Sequence, residues 1–121
     1  MNDINITDWL NELAGEKLSS VVFVMDYLQL DFDGNRYTMY IWPEVIIEEK
    51  VFHFSGEQYR NKLCALITQV VKHVVYKERQ SLEIHFVDGN QIRLSLNPNN
   101  PDIVAEIGIY TDASEAWMVL E

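Results

Sequence analysis

Six carboxylates in the first half of the chain, Asp26, Asp31, Asp33, Glu44, Glu48 and Glu49, are of the type that holds a hard cation. A calcium loop supplies ligands at alternate positions and closes with a bidentate Glu. The spacing here does not follow that loop, and strand alternation separates Asp26 from Asp31 and Asp33. They therefore read as solvated turn and strand-face groups. His53, His73 and His85 are scattered, none at the i, i+4 spacing of a helical zinc motif, with only Cys64 to join them. Cys64, beside Leu63 and Leu66, reads as a small buried apolar residue, and nothing in the sequence supplies the base that a nucleophilic thiol needs. The five glycines occur singly, so there is no phosphate-cradling loop. No catalytic residue, metal or cofactor is assigned, and the chain reads as a non-enzyme.

The remaining chemistry is recognition. On the third strand of the first half, Thr38, Tyr40 and Trp42 point outward beside Gln29 and Asp31, while Tyr37, Met39 and Ile41 point to the core. A strand that is apolar or aromatic on both faces is usually covered on both. The cover is either the 44–54 segment or the C-terminal strands, or else a second subunit or a foreign partner. Tyr and Trp dominate interface energetics, so Asp31, Thr38, Tyr40, Trp42 and Glu44 are the expected protein-binding residues.

The elements that position these residues follow from period and punctuation. Trp9, Leu10, Leu13 and Ala14 share a helical face after Thr7 or Asp8 as N-cap, with Gly15 at the end. Val21 to Met25 is an apolar strand, and Leu28 to Phe32 alternates before Asp33-Gly34-Asn35 reverses the chain into a strand from Arg36 to Trp42, stopped by Pro43. Residues 44–54 read as short extended pieces or a loop. Ser55 and Gln58 have capping-box spacing ahead of a helix carrying Tyr59, Leu63, Leu66, Ile67 and Val70. Strands follow at Val71 to Tyr76, Leu82 to Val87 and Ile92 to Leu96, the last two joined by Asp88-Gly89-Asn90. After a turn-rich break at Asn97 to Pro101 comes a last pair, Val104 to Tyr110 and Ala116 to Leu120.

Leu10 to Tyr27 aligns without gaps on Leu63 to Gln80, and with two inserted residues the match continues through both Asp-Gly-Asn turns to Pro43 and Pro98. The expected fold is α+β. It consists of two helix-plus-three-stranded antiparallel meander units, residues 10–43 and 63–98, related by pseudo-twofold duplication, with extra C-terminal strands, in one domain of residues 1–121. His85 falls where Asp31 does. It reads as a surface imidazole beside Glu83, with a pairing to the other unit's carboxylate as the alternative.

Phe23 to Gly34, together with Trp42-Pro43 and Leu63-Cys64-Ala65-Leu66-Ile67, resembles an uncharacterised family of small bacterial proteins with a VMDYLQLxFDG strand pair and an LCALI helix. The resemblance covers Leu18 to Leu96 and implies bacterial origin and a shared fold, without site residues.

Charge narrows the partner. Residues 1–49 hold ten acids and two bases, residues 50–93 four acids and seven bases, and residues 94–121 five acids and no base, for −10 in all. Such a chain repels phosphate backbones, which disfavours nucleic acid and favours a basic protein. No apolar run exceeds five residues, far short of a membrane span. The start of the chain carries Asp3 and Asp8 without an early basic residue, and a lone cysteine suits a reducing compartment, so a cytoplasmic location is expected. The expected function is a small acidic protein that binds another protein, its most concrete form being an immunity-type inhibitor that neutralises a basic toxin. The alternatives are a homodimer using the same strand, or a small-molecule binder with a pocket between the two sheets. The last requires a polar residue pointing into the core, and the alternating inward positions offer none.

Overall fold

Alternation in the sequence becomes pleat in the computed structural model, which describes residues 4–100 and 106–121. Helix α1 (Ile4–Leu10) runs into a 3-10 turn at Asn11–Leu13 and leads to β1 (Ser20–Val24), β2 (Tyr27–Phe32), β3 (Asn35–Met39), β4 (Glu44–Ile47) and β5 (Lys50–Phe52). Helix α2 (Tyr59–Cys64) then leads to β6 (Val71–Lys77), β7 (Ser81–Phe86), β8 (Gln91–Ser95), β9 (Gly108–Thr111) and β10 (Trp117–Leu120). The described residues form two antiparallel five-stranded sheets with little helix. The first has the order β1-β2-β3-β9-β10 and the second β5-β4-β8-β7-β6.

Each sheet buries one face. On β2, Leu28, Leu30 and Phe32 are fully buried, as are Leu82, Ile84 and Phe86 on β7, and all six belong to one hydrophobic cluster drawn from both sheets. The Phe32 and Phe86 rings stack across the interior at 6.5 Å. The helical segments add Leu10, Leu13, Tyr59 and Leu63 to that cluster, and the turn after α2 adds Leu66. Buried hydroxyls are treated unequally. Tyr59 donates to the Pro43 carbonyl at 2.5 Å, whereas the Tyr37 hydroxyl has no partner among the described residues. Burial pushes both phenols well above their ordinary pKa.

Several sequence expectations shift by a few residues. Thr7 and Asp8 lie inside α1 rather than capping it. The cap of α2 is Gln58, with no side-chain bond. The expected Ser55 cap is superseded by a turn in which Gly56 N–H donates to the His53 carbonyl and Tyr59 N–H to the Gly56 carbonyl. That helix ends at Cys64, which is exposed rather than buried. Leu63 and Leu66 take the inward face, and one helical step of about 100° swings Cys64 away from it. Strand β3 stops at Met39, ahead of Pro43, although Tyr40 N–H still donates to the Ile107 carbonyl. Residues 44–54 resolve into the β4–β5 hairpin, turned at Glu48 and Glu49, both with positive φ. The last pair of strands begins later than expected, and Val104 and Pro101 lie outside the described residues. Gly108 has a specific reason to be glycine: a Cβ there would lie 2.6 Å from the Thr38 carbonyl oxygen, so any side chain would push β9 off β3.

Candidate protein-interaction surface

The two sheets expose unlike outer faces. On the second sheet the outward residues of β7 and β8 are Glu83, His85, Gln91, Arg93 and Ser95. They form an ordinary wet face: His85 Nε2 lies 2.9 Å from Glu83, and Arg93 reaches Glu44 on β4 through Nε at 3.0 Å and Nη2 at 2.7 Å. His85 also stacks on His73 at 4.5 Å. It is not paired with Asp31, which instead bonds Gly34 N–H at 2.8 Å and lies 3.7 Å from Arg36.

On the first sheet the register sets Val22, Gln29, Thr38, Ile109 and Val119 in one row across all five strands. The next row runs through Asp31, Arg36, Thr111 and Trp117. Tyr27 and Tyr40 stand at the other end with ring centres 5.7 Å apart. Four of these side chains are openly solvated: Trp117 is 64% exposed, Val22 43%, Val119 40% and Tyr40 38%. Five strands span about 20 Å between the outermost axes, so this is a broad surface with aromatic and β-branched groups along it.

The hairpin that contributes Trp117 is firmly seated. At its turn the Asp112 carboxylate accepts from Trp9 Nε1 at 2.7 Å, from Ser114 N–H and Oγ at 2.9 and 2.7 Å, and from Ala116 N–H at 3.0 Å. The Ser114 hydroxyl foremost, then the Trp9 indole, holds this carboxyl below its ordinary pKa. Beneath the turn, Trp9 packs edge-on to Tyr110 at 5.1 Å, and burial, with Asp112 and Glu12 nearby, pushes the Tyr110 hydroxyl up to about 12.

Of the five residues expected to form one binding patch, Asp31, Thr38 and Tyr40 share this outer face, and two lie off it. Trp42 stacks on Phe54 at 4.1 Å with 9° between planes and faces Phe23 at 6.3 Å. The Arg60 guanidinium lies 5.3 Å from each of the two Phe rings. The cover expected over Trp42 thus comes from its own chain, at the end of the 44–54 segment. Glu44 belongs to the second sheet and is held by Arg93 and, at 3.4 Å, His53. The face also carries Trp117, Ile109, Val119 and Val22, to which the sequence alone does not point. Their alternation was legible, but no local pattern reveals that β9 docks beside β3 and so brings Trp117 to the face that carries Tyr40.

Concavities among the described residues include open clefts, one of them lined by Tyr40, Ile41, Trp42, His53, Phe54 and Ser55. No group of three His, Cys, Asp or Glu among them is arranged to hold a metal, and no helix is long and apolar enough to cross a membrane. No family model matches the chain, and no curated protein or solved structure matches it either.

Proposed function

We propose that the protein is a non-catalytic binding module that holds a basic partner protein against the outer face of its first sheet. The observation that carries this reading is the contrast between two exteriors built on the same kind of sheet. One is ion-paired and wet, and the other bears Tyr40, Trp117, Val22 and Val119 in the open. Charge points the same way. Residues 20–39 and 108–120, which form the first sheet, hold five acids and one base; residues 44–52 and 71–95, which form the second, hold six acids and five bases. A partner with lysines and arginines around an apolar centre complements the first sheet and gains little from the second. The concrete form is an immunity-type inhibitor of a basic toxin in the bacterial cytoplasm, a step taken by analogy.

The contrast has its force because we also read the chain as a tandem duplication, in which shared features are scaffold and unshared ones are candidates for function. Three features support that reading. In the gapless alignment Lys17 falls on Val70, and these two residues form an antiparallel bridge with each other, as residues on a twofold axis do. Around it the bonds are reciprocal. Leu18 N–H donates to Gln69 and Val71 N–H to Glu16, while Gly15 N–H donates to Val71 and Thr68 N–H to Leu18. Each meander also receives the other half's hairpin: β9–β10 joins β3, and β4–β5 joins β8.

The test is affinity for purified basic proteins. The paired substitution Tyr40→Ala plus Trp117→Ala is expected to abolish retention of a bound partner, and Glu83→Ala plus Gln91→Ala on the opposite face to leave it intact. Equal loss from both pairs, or no loss from the first, would refute the assignment of the face.

A further inference from the structure

The outer edge of β10 adds a second mode of contact to this face: its last outward carbonyl, that of Glu121, accepts from the Tyr76 hydroxyl at 2.8 Å, and the groups ahead of it are open. In the β9–β10 hairpin Asp112 N–H donates to the Ala116 carbonyl, which fixes the phase of the ladder. Tyr110 with Met118 and Gly108 with Leu120 are the hydrogen-bonded pairs, so the N–H and C=O groups of Trp117 and Val119 point away from β9. Among the described residues nothing bonds to them.

Natural edges are blunted by charge, by bulges, by brevity or by a covering element, and the other three edges here show such devices. Strand β6 carries Lys72 and Lys77, has a bulge between Val71 and His73, and is capped by the Asn11 side-chain amide. That amide donates to the Val74 carbonyl at 2.9 Å and accepts from Val74 N–H at 2.8 Å. Strand β5 is three residues long and carries Lys50. Strand β1 has Arg60 of α2 over its Phe23 ring. Strand β10, Trp117-Met118-Val119-Leu120, has no charge, proline or bulge. It is also held in place from below by the Asp112 turn.

We infer that β10 is a strand-addition site, and that its occupant is an extended segment of a partner protein with apolar or β-branched residues at its centre and lysine or arginine at both ends. This rests on the binding-module reading above and names how the partner is held. Exposed Glu115 and Glu121 bracket the strand, so a basic-ended segment meets a carboxylate at either end. A second copy of the chain is the poorer occupant. In the antiparallel self-pairing that uses the whole strand, Met118 sits on the twofold axis and Glu115 of one copy faces Glu121 of the other, a like-charge opposition. In the added-strand arrangement Trp117 and Val119 supply main-chain bonds to the partner through the edge, while their side chains, on the outer face, flank its alternate residues.

The probe is a synthetic peptide of alternating valine and threonine with two lysines at each end, titrated into the full chain, beside a counterpart with glutamates for the lysines. The lysine peptide is expected to bind saturably, to slow hydrogen exchange at the Trp117 and Val119 amides, and to bind at least about tenfold more tightly than the glutamate peptide at low salt. Val119→Pro removes an outward donor without touching the β9 ladder and is expected to abolish binding. Val119→Lys, which keeps the backbone intact, tests the same edge by charge and is expected to weaken it. If lysine peptides perturb Tyr27, Tyr40 and Ile109 while Trp117 and Val119 exchange unchanged and both variants bind normally, the edge site is overturned and the outer face survives as the binding surface. If no lysine peptide binds, this edge site falls; Tyr40 and Trp117 then stand or fall with the basic-protein experiment alone. Protection of the same amides in a dimer without peptide overturns the basic segment in favour of a second copy.

Discussion

Two tyrosines in the same core are expected to respond in opposite directions to the same change. Tyr37→Phe removes a hydroxyl that is wholly buried and has no partner, while the ring keeps its neighbours, Tyr110 at 4.5 Å and Phe32 at 6.1 Å. An unsatisfied buried polar group costs about 1–3 kcal/mol, so the substitution is expected to stabilise the fold by about 1 kcal/mol once the small void left by the oxygen is allowed for. Tyr59→Phe removes the donor to the Pro43 carbonyl and leaves that buried oxygen unpaired, a loss of about 1–3 kcal/mol. For a chain of 121 residues the unfolding entropy is about 0.25 kcal/mol/K. One kcal/mol then moves the melting temperature by about 4 °C, so the two variants should differ by about 8–16 °C. Thermal melts by circular dichroism, with urea titrations to verify an unchanged m-value, read both. A Tyr37→Phe variant that melts below wild type, or a pair shifted equally, would refute this account of the core.

Other outcomes follow from single positions. Thr68, β-branched at φ 83°, is strained in the left-handed region that Gly15 occupies without strain at φ 93°. Thr68→Gly is expected to be neutral or to raise stability by up to about 1 kcal/mol in a urea titration, and a loss above that size would contradict the strain. Asp112 has its folded pKa lowered, so its contribution is present above the unfolded carboxyl pKa of about 3.9 and is lost as pH falls through the folded value. Trp9 fluorescence and melts should be flat from about pH 5 to 8 and decline at lower pH, and Asp112→Asn should lower the plateau and flatten the decline. Gly108→Ala brings a Cβ to 2.6 Å from the Thr38 carbonyl and is expected to free the β9–β10 hairpin, seen as fast amide exchange at Tyr110 and Met118 while β7 and β8 stay protected.

The strands were legible because alternation is a local signal: Leu28, Leu30 and Phe32, like Leu82, Ile84 and Phe86, face inward as their spacing required. The docking of each hairpin was not legible, because an antiparallel neighbour is chosen by fit across the whole sheet and leaves no mark in a short window. Alternation puts Trp42 on the outer face only if β3 runs on to Pro43. It stops at Met39, and the bend at Tyr40 and Ile41 sends Trp42 into the Phe54 stack. Cys64 lies one helical step from buried Leu63 and so faces water, a difference that composition does not carry but a six-residue helix does. Tyr40 and Asp31 share the face that local alternation gives them, whereas Trp117, its most exposed aromatic, arrives from the far end of the chain.

Amide chemical shifts of the full chain, recorded while a lysine-rich peptide is titrated in, report which outer face takes a basic partner. Changes are expected to be confined to β1, β2, β3, β9 and β10, to centre on Tyr40, Ile109, Trp117 and Val119, and to fade as salt is raised. Changes centred on Glu83, His85 and Arg93 of the opposite face, or spread evenly over both sheets, would contradict the assignment of the face.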